Sequence, residues 1–158
     1  MVKVISLIFL LFFNTDDAVS LNSIRDAYKV CNQSKENAEK FYEMTKKAAE
    51  NGEAIYEGYH GAALALQASF GWNPFSKMSY FNKGKKLIDK AIQKEPDNIE
   101  LRMIRLSIQS NTPKILGYNK NIEEDRDFIS ANVDKITGKD LKEYIEGYIS
   151  HSEVFANP

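Results

Sequence analysis

Glu57-x-x-His60 would set a carboxylate and an imidazole one turn apart on a helix. That spacing is half of a di-iron site in a helical bundle, which needs a second such pair and two more carboxylates. The chain has two histidines. The other, His151, has Glu146 and Glu153 nearby but not at the matching spacing. The pair therefore reads as a hydrogen-bonded or surface histidine beside an acid, and no metal ligand set is expected. No His-Glu-x-x-His is present, which excludes a zincin mechanism, and there is neither a Gly-x-Ser-x-Gly nor a phosphate-cradling glycine loop. Cys31 is the single cysteine. It excludes an internal disulfide framework and a cysteine-based zinc site, and with no histidine beside it reads as a small core residue. No cofactor is implied.

The most informative polar pattern lies at 99–109. On a helical wheel Ile99, Met103 and Leu106 form one apolar arc, and Leu101, Ile104 and Ile108 a second, nearly opposite. Arg102, Arg105 and Gln109 fall between them. Two guanidiniums one turn apart hold a carboxylate or phosphate well. The competing expectation is internal pairing with Asp125, Asp127 or Glu100. Tyr56 and Tyr59 could line the same groove, and Trp72-Asn73-Pro74-Phe75 could offer an apolar contact, although core packing is the default for both sets. Lys83, Lys85 and Lys86 read as a solvated face.

The elements that must position these residues are helical. After residue 21 no stretch alternates as a strand does. Leu21, Ile24, Tyr28 and Cys31 suggest a short first helix. Ser34 caps a second, closed by Asn51-Gly52. The segment 53–70 is apolar over most of its circumference and carries Gly58, Gly61, Ala62 and Ala65, so it reads as a central helix that a neighbour approaches closely. Asn73-Pro74 opens a long fourth helix that Glu95-Pro96 stops. Asp97-x-x-Glu100 and Thr137-x-x-Asp140 read as capping boxes for later helices. Six or seven antiparallel helices in one domain over residues 21–158 is the expectation.

The first residues read as an address. Lys3 precedes Val4 to Phe13, apolar but for Ser6, too short for a span of about 20 residues. With Ala18-Val19-Ser20 ahead of Leu21, residues 1–20 read as a signal peptide, and the remainder as exported, periplasmic or extracellular, without a stable membrane span. Its removal leaves basic and acidic residues equal in number, so neither a nucleic-acid partner nor long-range steering is expected.

Gly84, Ile88, Ala91 and Pro96 fall at the spacing of four positions of the tetratricopeptide repeat, which this half-repeat resembles. The segment Tyr59-His60-Gly61-Ala62 resembles the first helix of such a pair, with about ten extra residues before the second. The positions after Pro96 do not continue the pattern. The resemblance implies stacked helix pairs. The blocks Tyr59-x-Gly61-Ala62-Ala63-x-Ala65-Leu66, Glu95-Pro96-Asp97-Asn98-Ile99-Glu100-Leu101-Arg102 and Asn111-Thr112-Pro113 also resemble a group of short exported Bacteroidota proteins, which implies export and helices but no chemistry.

The function expected from these readings is a non-enzymatic helical interaction or scaffold domain. It would bind a peptide, a protein or a small anionic group at Arg102, Arg105, Gln109, Tyr56 and Tyr59. The alternative is a helical carrier of a small apolar or metal ligand. A subunit of an envelope assembly would show a large apolar surface patch.

Overall fold

The computed structural model describes residues 19–156. Within them the protein is all-α, with eight helices: α1 (Leu21–Val30), α2 (Lys35–Ala48), α3 (Ala54–Phe70), α4 (Pro74–Lys94), α5 (Ile99–Ser110), α6 (Ile122–Asn132), α7 (Lys139–His151) and the single turn α8 (Glu153–Ala156). The sequence expectation of six or seven omits only this last turn. The signal-peptide reading lies almost wholly outside the described residues. Its last two positions, Val19 and Ser20, belong to the fold: Val19 packs on the core and Ser20 caps α1, accepting from the Ser23 amide at 3.1 Å.

Most helix ends follow from local chemistry. Ser34 accepts from the Asn37 amide at 3.1 Å, and Asn73 from the Phe75 amide at 2.8 Å with Pro74 in the first turn. Gly52 closes the turn after α2 at φ 78°, the left-handed region open to glycine. Two expected capping boxes are corrected. Asn98, not Asp97, caps α5, accepting from the Glu100 and Leu101 amides at 3.0 and 3.1 Å. The Glu100 side chain turns instead into the core. Gly138 occupies the cap of α7 with no side-chain bond, and Asp140 accepts from Asn22 of α1.

The core is organised around α3 and α5. The α3–α4 hairpin is antiparallel, with Gly58 opposite Ala91 and Gly61 opposite Gly84 and Ile88. A Cβ on Gly84 would lie 2.5 Å from the Gly61 carbonyl oxygen and 2.7 Å from the Ala65 nitrogen, so the two backbones touch. This is the close approach that the small residues of α3 foretell. Helix α5 packs on α3 beside α4, with Leu101 and Ile104 meeting Gly58 where Ala91 also lies. Both of its apolar arcs are buried, as expected of a helix held between neighbours: Ile99, Leu101, Met103, Ile104 and Leu106 are all core. Each large aliphatic side chain so enclosed stabilises the fold by about 1.5–3 kcal/mol relative to exposure. Helix α2 adds Ala38 and Phe41, α6 adds Ile129, and α7 adds Ile145.

Candidate functional site

Helix α6 fills the space expected to be a groove beside the arginine stripe. Arg105 donates from Nε to Asp125 Oδ2 at 2.6 Å and from Nη2 to Asp125 Oδ1 at 2.7 Å. Arg102 donates from Nη1 to Glu124 at 2.5 Å and to Asp125 at 3.0 Å, and from Nε to the Pro96 carbonyl at 3.0 Å. Its guanidinium also lies 4.9 Å from the centre of the Phe128 ring. Gln109 is buried, donates to Asn121 Oδ1 at 3.4 Å and accepts from the Asn121 amide at 3.1 Å. Burial works against the Arg105 charge, but Asp125 and then Glu124 more than offset it and hold its pKa above the ordinary value. The stripe therefore clamps α5 to α6. Its guanidiniums already hold acids, the internal pairing weighed against a ligand site.

Tyr59 and Tyr56 are not brought to that stripe. Tyr59 is fully enclosed and donates to Glu100 at 2.6 Å, and Tyr56 packs half-buried on the core. Glu100 is the hub of a buried polar network that local spacing does not reveal. Arg25 of α1 grips it with two bonds, Nε to Oε1 at 2.8 Å and Nη2 to Oε2 at 2.6 Å. The Tyr144 hydroxyl of α7 lies 3.2 Å from that of Tyr59. The hydrogen bond to Glu100 raises the Arg25 pKa above its ordinary value, while burial pushes that of Tyr59 well up. A paired, hydrogen-bonded charge of this kind ties α1, α3, α5 and α7 into one register.

Above this network α1, α5 and α7 surround an open cleft of about 800 Å³. Ala62, Leu66 and Met103 form its floor, and Tyr28, Tyr144 and Tyr148 stand along its walls. The Tyr28 hydroxyl bonds to that of Ser107. The Tyr148 ring meets Phe155 of α8 edge-on at 6.0 Å, and its hydroxyl is buried without a well-formed hydrogen bond. The rim carries amides, Asn22, Asn32 and Asn111, and charges of both signs, Lys29 and Asp26 among them. Lys29 sits 5.5 Å from the Tyr144 ring centre.

Of the remaining reactive side chains, Cys31 and His151 both line this cleft, while Glu57 and His60 lie elsewhere. Glu57 turns to α4, pairing with Lys94 at 2.7 Å and Lys90 at 3.5 Å. His60 faces α2, with Nδ1 3.3 Å from the Thr45 hydroxyl and its ring 5.3 Å from that of Tyr42. His151 is exposed at the end of α7, within 2.8 Å of the Gly147 carbonyl. Among the described residues no three of His, Cys, Asp and Glu gather as a metal would require. Cys31 is buried, and burial pushes its thiol up to about 11, far from the thiolate a nucleophile needs.

One expectation reverses. Trp72 and Phe75 are not core residues: they are 96% and 86% exposed at the α3–α4 turn. Ile115, in the short turn between α5 and α6, is 93% exposed. A smaller groove of about 470 Å³ runs between these turns, lined by Pro74, Met78, Phe81, Pro113 and Leu116.

No protein-family model, no curated protein and no solved structure matches the chain. None of the described helices is long and apolar enough to cross a membrane.

Proposed function

We propose that the protein is an exported, non-enzymatic binding module whose α1–α5–α7 cleft receives a short peptide segment. The observation that carries this reading is the cleft itself, an apolar floor walled by tyrosines and rimmed by asparagine amides. Asn22 is held by Arg25 and Asp140 and Asn111 donates to the Ser107 carbonyl, so Asn32 and the Asn111 Oδ1 are the amide groups that suit a peptide backbone. Tyrosine adds contact area at low conformational cost. The Arg25–Glu100–Tyr59 network beneath the cleft holds its walls in place before a ligand arrives, which lowers the ordering cost of binding. Cys31 and His151 both line this cleft, but burial keeps the Cys31 thiol protonated and His151 Nδ1 lies within hydrogen-bond reach of Ser150 and the Gly147 carbonyl, which favours binding over catalysis. The antiparallel α3–α4 hairpin, with Ile88 and Ala91 facing α3, supports a tetratricopeptide-like arrangement.

A carrier of a small apolar molecule is the second reading, because the cleft volume falls in the range of small-ligand pockets. Gly147 offers the test. It lines the cleft, and a Cβ there meets nothing within 4 Å, so Gly147→Phe narrows the cleft without touching the core. A peptide library selected on the wild type should yield apolar-containing peptides whose affinity falls about tenfold or more in Gly147→Phe. Equal binding to both proteins would remove the cleft from the proposal. Native mass spectrometry of protein purified from its own cell separates the readings, since a retained small molecule favours the carrier. Amino-terminal sequencing of the same material tests export.

A further inference from the structure

The exposed aromatic end of the molecule has two properties that belong together. The first is shape. Trp72, Phe75 and Ile115 stand on the tips of two neighbouring turns and are almost wholly exposed. They project outward and line neither cleft, whereas the recessed apolar residues Phe81 and Leu116 form the groove between the turns. The presentation is fixed by the fold. Asn73 caps the first turn of α4 directly between Trp72 and Phe75, and Ile115 sits in the tight turn Lys114–Leu116.

The second property is charge. Residues 58–88 and 101–122, which include this end, contain no aspartate or glutamate, and Asp89, the next residue along α4, accepts from the Tyr118 hydroxyl at 2.9 Å. The two segments carry Lys77, Lys83, Lys85, Lys86, Lys114 and Lys120. None of these six forms an ion pair among the described residues. Lys77 lines the groove, Lys114 adjoins Ile115, and the Lys85 ammonium lies 5.8 Å from the Phe81 ring centre. A chain of net charge −1 thus sets Lys77, Lys85 and Lys114 beside the groove and its protruding apolar side chains, with Asp89 turned to the Tyr118 hydroxyl.

We propose that this end docks on an anionic lipid surface, with Trp72, Phe75 and Ile115 entering the headgroup region and the lysines facing lipid phosphates. Tryptophan favours that interface, and basic residues beside inserted apolar groups add attraction to acidic lipids. Protruding tips suit a deformable bilayer surface. A protein partner would need a recess shaped to each of them. Trp72, Phe75 and Ile115 do not line the α1–α5–α7 cleft, although the groove beside them shares Leu66, Ile108 and Asn111 with it.

Trp72 is the only tryptophan in the chain, so its emission reports on this end and no other. The experiment mixes the full chain with vesicles of phosphatidylcholine alone, and with vesicles containing a third phosphatidylglycerol. Both are prepared with and without brominated lipid. The expected result is a blue shift of Trp72 emission and quenching by brominated lipid with the anionic vesicles only, lost at 0.5 M salt. Phe75→Ser/Ile115→Ser, which keeps the reporter, should weaken binding about tenfold. Lys77→Gln/Lys85→Gln/Lys114→Gln should abolish the preference for anionic lipid. All the substituted side chains are at or near the surface, and circular dichroism checks that the helices persist. Emission that stays that of water-exposed tryptophan while the chain sediments with vesicles would mean that the apolar amino-terminal segment, not this end, meets the lipid, and would overturn the proposal. So would equal quenching by both vesicle types. A blue shift given by an acidic amphipathic peptide, with vesicles silent, would replace the membrane by a protein partner.

Discussion

Arg105 and Asp125 form a side-on, two-bond ion pair in which the carboxylate is 0% exposed. Asp125 also accepts from Arg102, so one buried acid answers for two guanidiniums of α5. Glu124, 3.8 Å from Arg105 and nearer the surface, completes the cluster. The pair makes α6 part of the body of the protein.

Removing that acid should be costly. Asp125→Ala leaves Arg105 buried without its carboxylate, and the expected loss of stability is about 3–5 kcal/mol. The double replacement Arg105→Met/Asp125→Leu removes both charges and should recover most of that loss. Urea unfolding of Arg105→Met, Asp125→Leu and the double variant measures the coupling. Additive losses would show that the pair contributes no specific energy.

The contact between α3 and α4 predicts opposite outcomes for two glycine-to-alanine changes. Gly84→Ala drives a methyl group into the Gly61 carbonyl and should cost about 1–3 kcal/mol through forced separation of the helices. Gly147→Ala lies in the exposed interior of α7 with open space around it and should stabilise by about 0.5–1 kcal/mol. Thermal unfolding midpoints that move in the same direction for both would refute the close-contact account.

His60 should make stability depend on pH. Burial first, and then the Lys46 ammonium, hold its imidazole below the ordinary value of 6.5, with Glu43 opposing them. The folded protein thus binds that proton less readily than the unfolded chain. Its contribution is complete above pH 6.5 and is lost as pH falls through the lower folded value. His60→Gln should flatten the decline between pH 7.5 and 5.5, and urea midpoints at the two values provide the check. Burial opposes ionisation of Glu57 but Lys94 and Lys90 outweigh it, and Asn121 and Arg102 hold Glu124 low, so the stability both contribute is complete above the ordinary 4.5 and is lost only at more acidic pH.

Ser20 links the start of the fold to the expected processing site. Its side chain caps α1, so Ser20→Ala should lower stability by about 1 kcal/mol. Cleavage directly before Leu21 would remove the same cap. A protein beginning at Leu21 should therefore melt below one beginning at Val19, and equal melting temperatures would show that the cap contributes little.

The helices were legible in the sequence where the deciding residues are neighbours. Ser34, Gly52, Asn73-Pro74 and Glu95-Pro96 act within one turn, and each marks the boundary it suggests. The two-arc pattern of α5 reports burial on both sides because apolar residues recur at the helical period. The capping box at Asp97 fails because Asn98, one residue on, binds the same end of the helix and frees Glu100 for Arg25. That partner lies 75 residues away, and no local period encodes such a pairing. Asp125 could be named as a partner for the arginines because compensating charge must come from somewhere, but only packing shows that it takes both. Trp72 and Phe75 mislead in a different way. Large aromatics are usually enclosed, and the one local signal that they sit on a turn, the Asn-Pro cap between them, says nothing of what lies outside.

The contact of Gly61 with Gly84 also bears on how the chain assembles. It joins two stretches separated by one short turn, and closing so small a loop costs little entropy. The α3–α4 hairpin can therefore form early and serve as the template on which α5 settles. Helix α7 depends on partners far back in the chain, Asn22 and Tyr59 among them, and must arrive late. It brings Tyr144 and Tyr148, so the cleft is the last part of the molecule to be completed. A chain arrested before α7 would have a formed scaffold and no cleft.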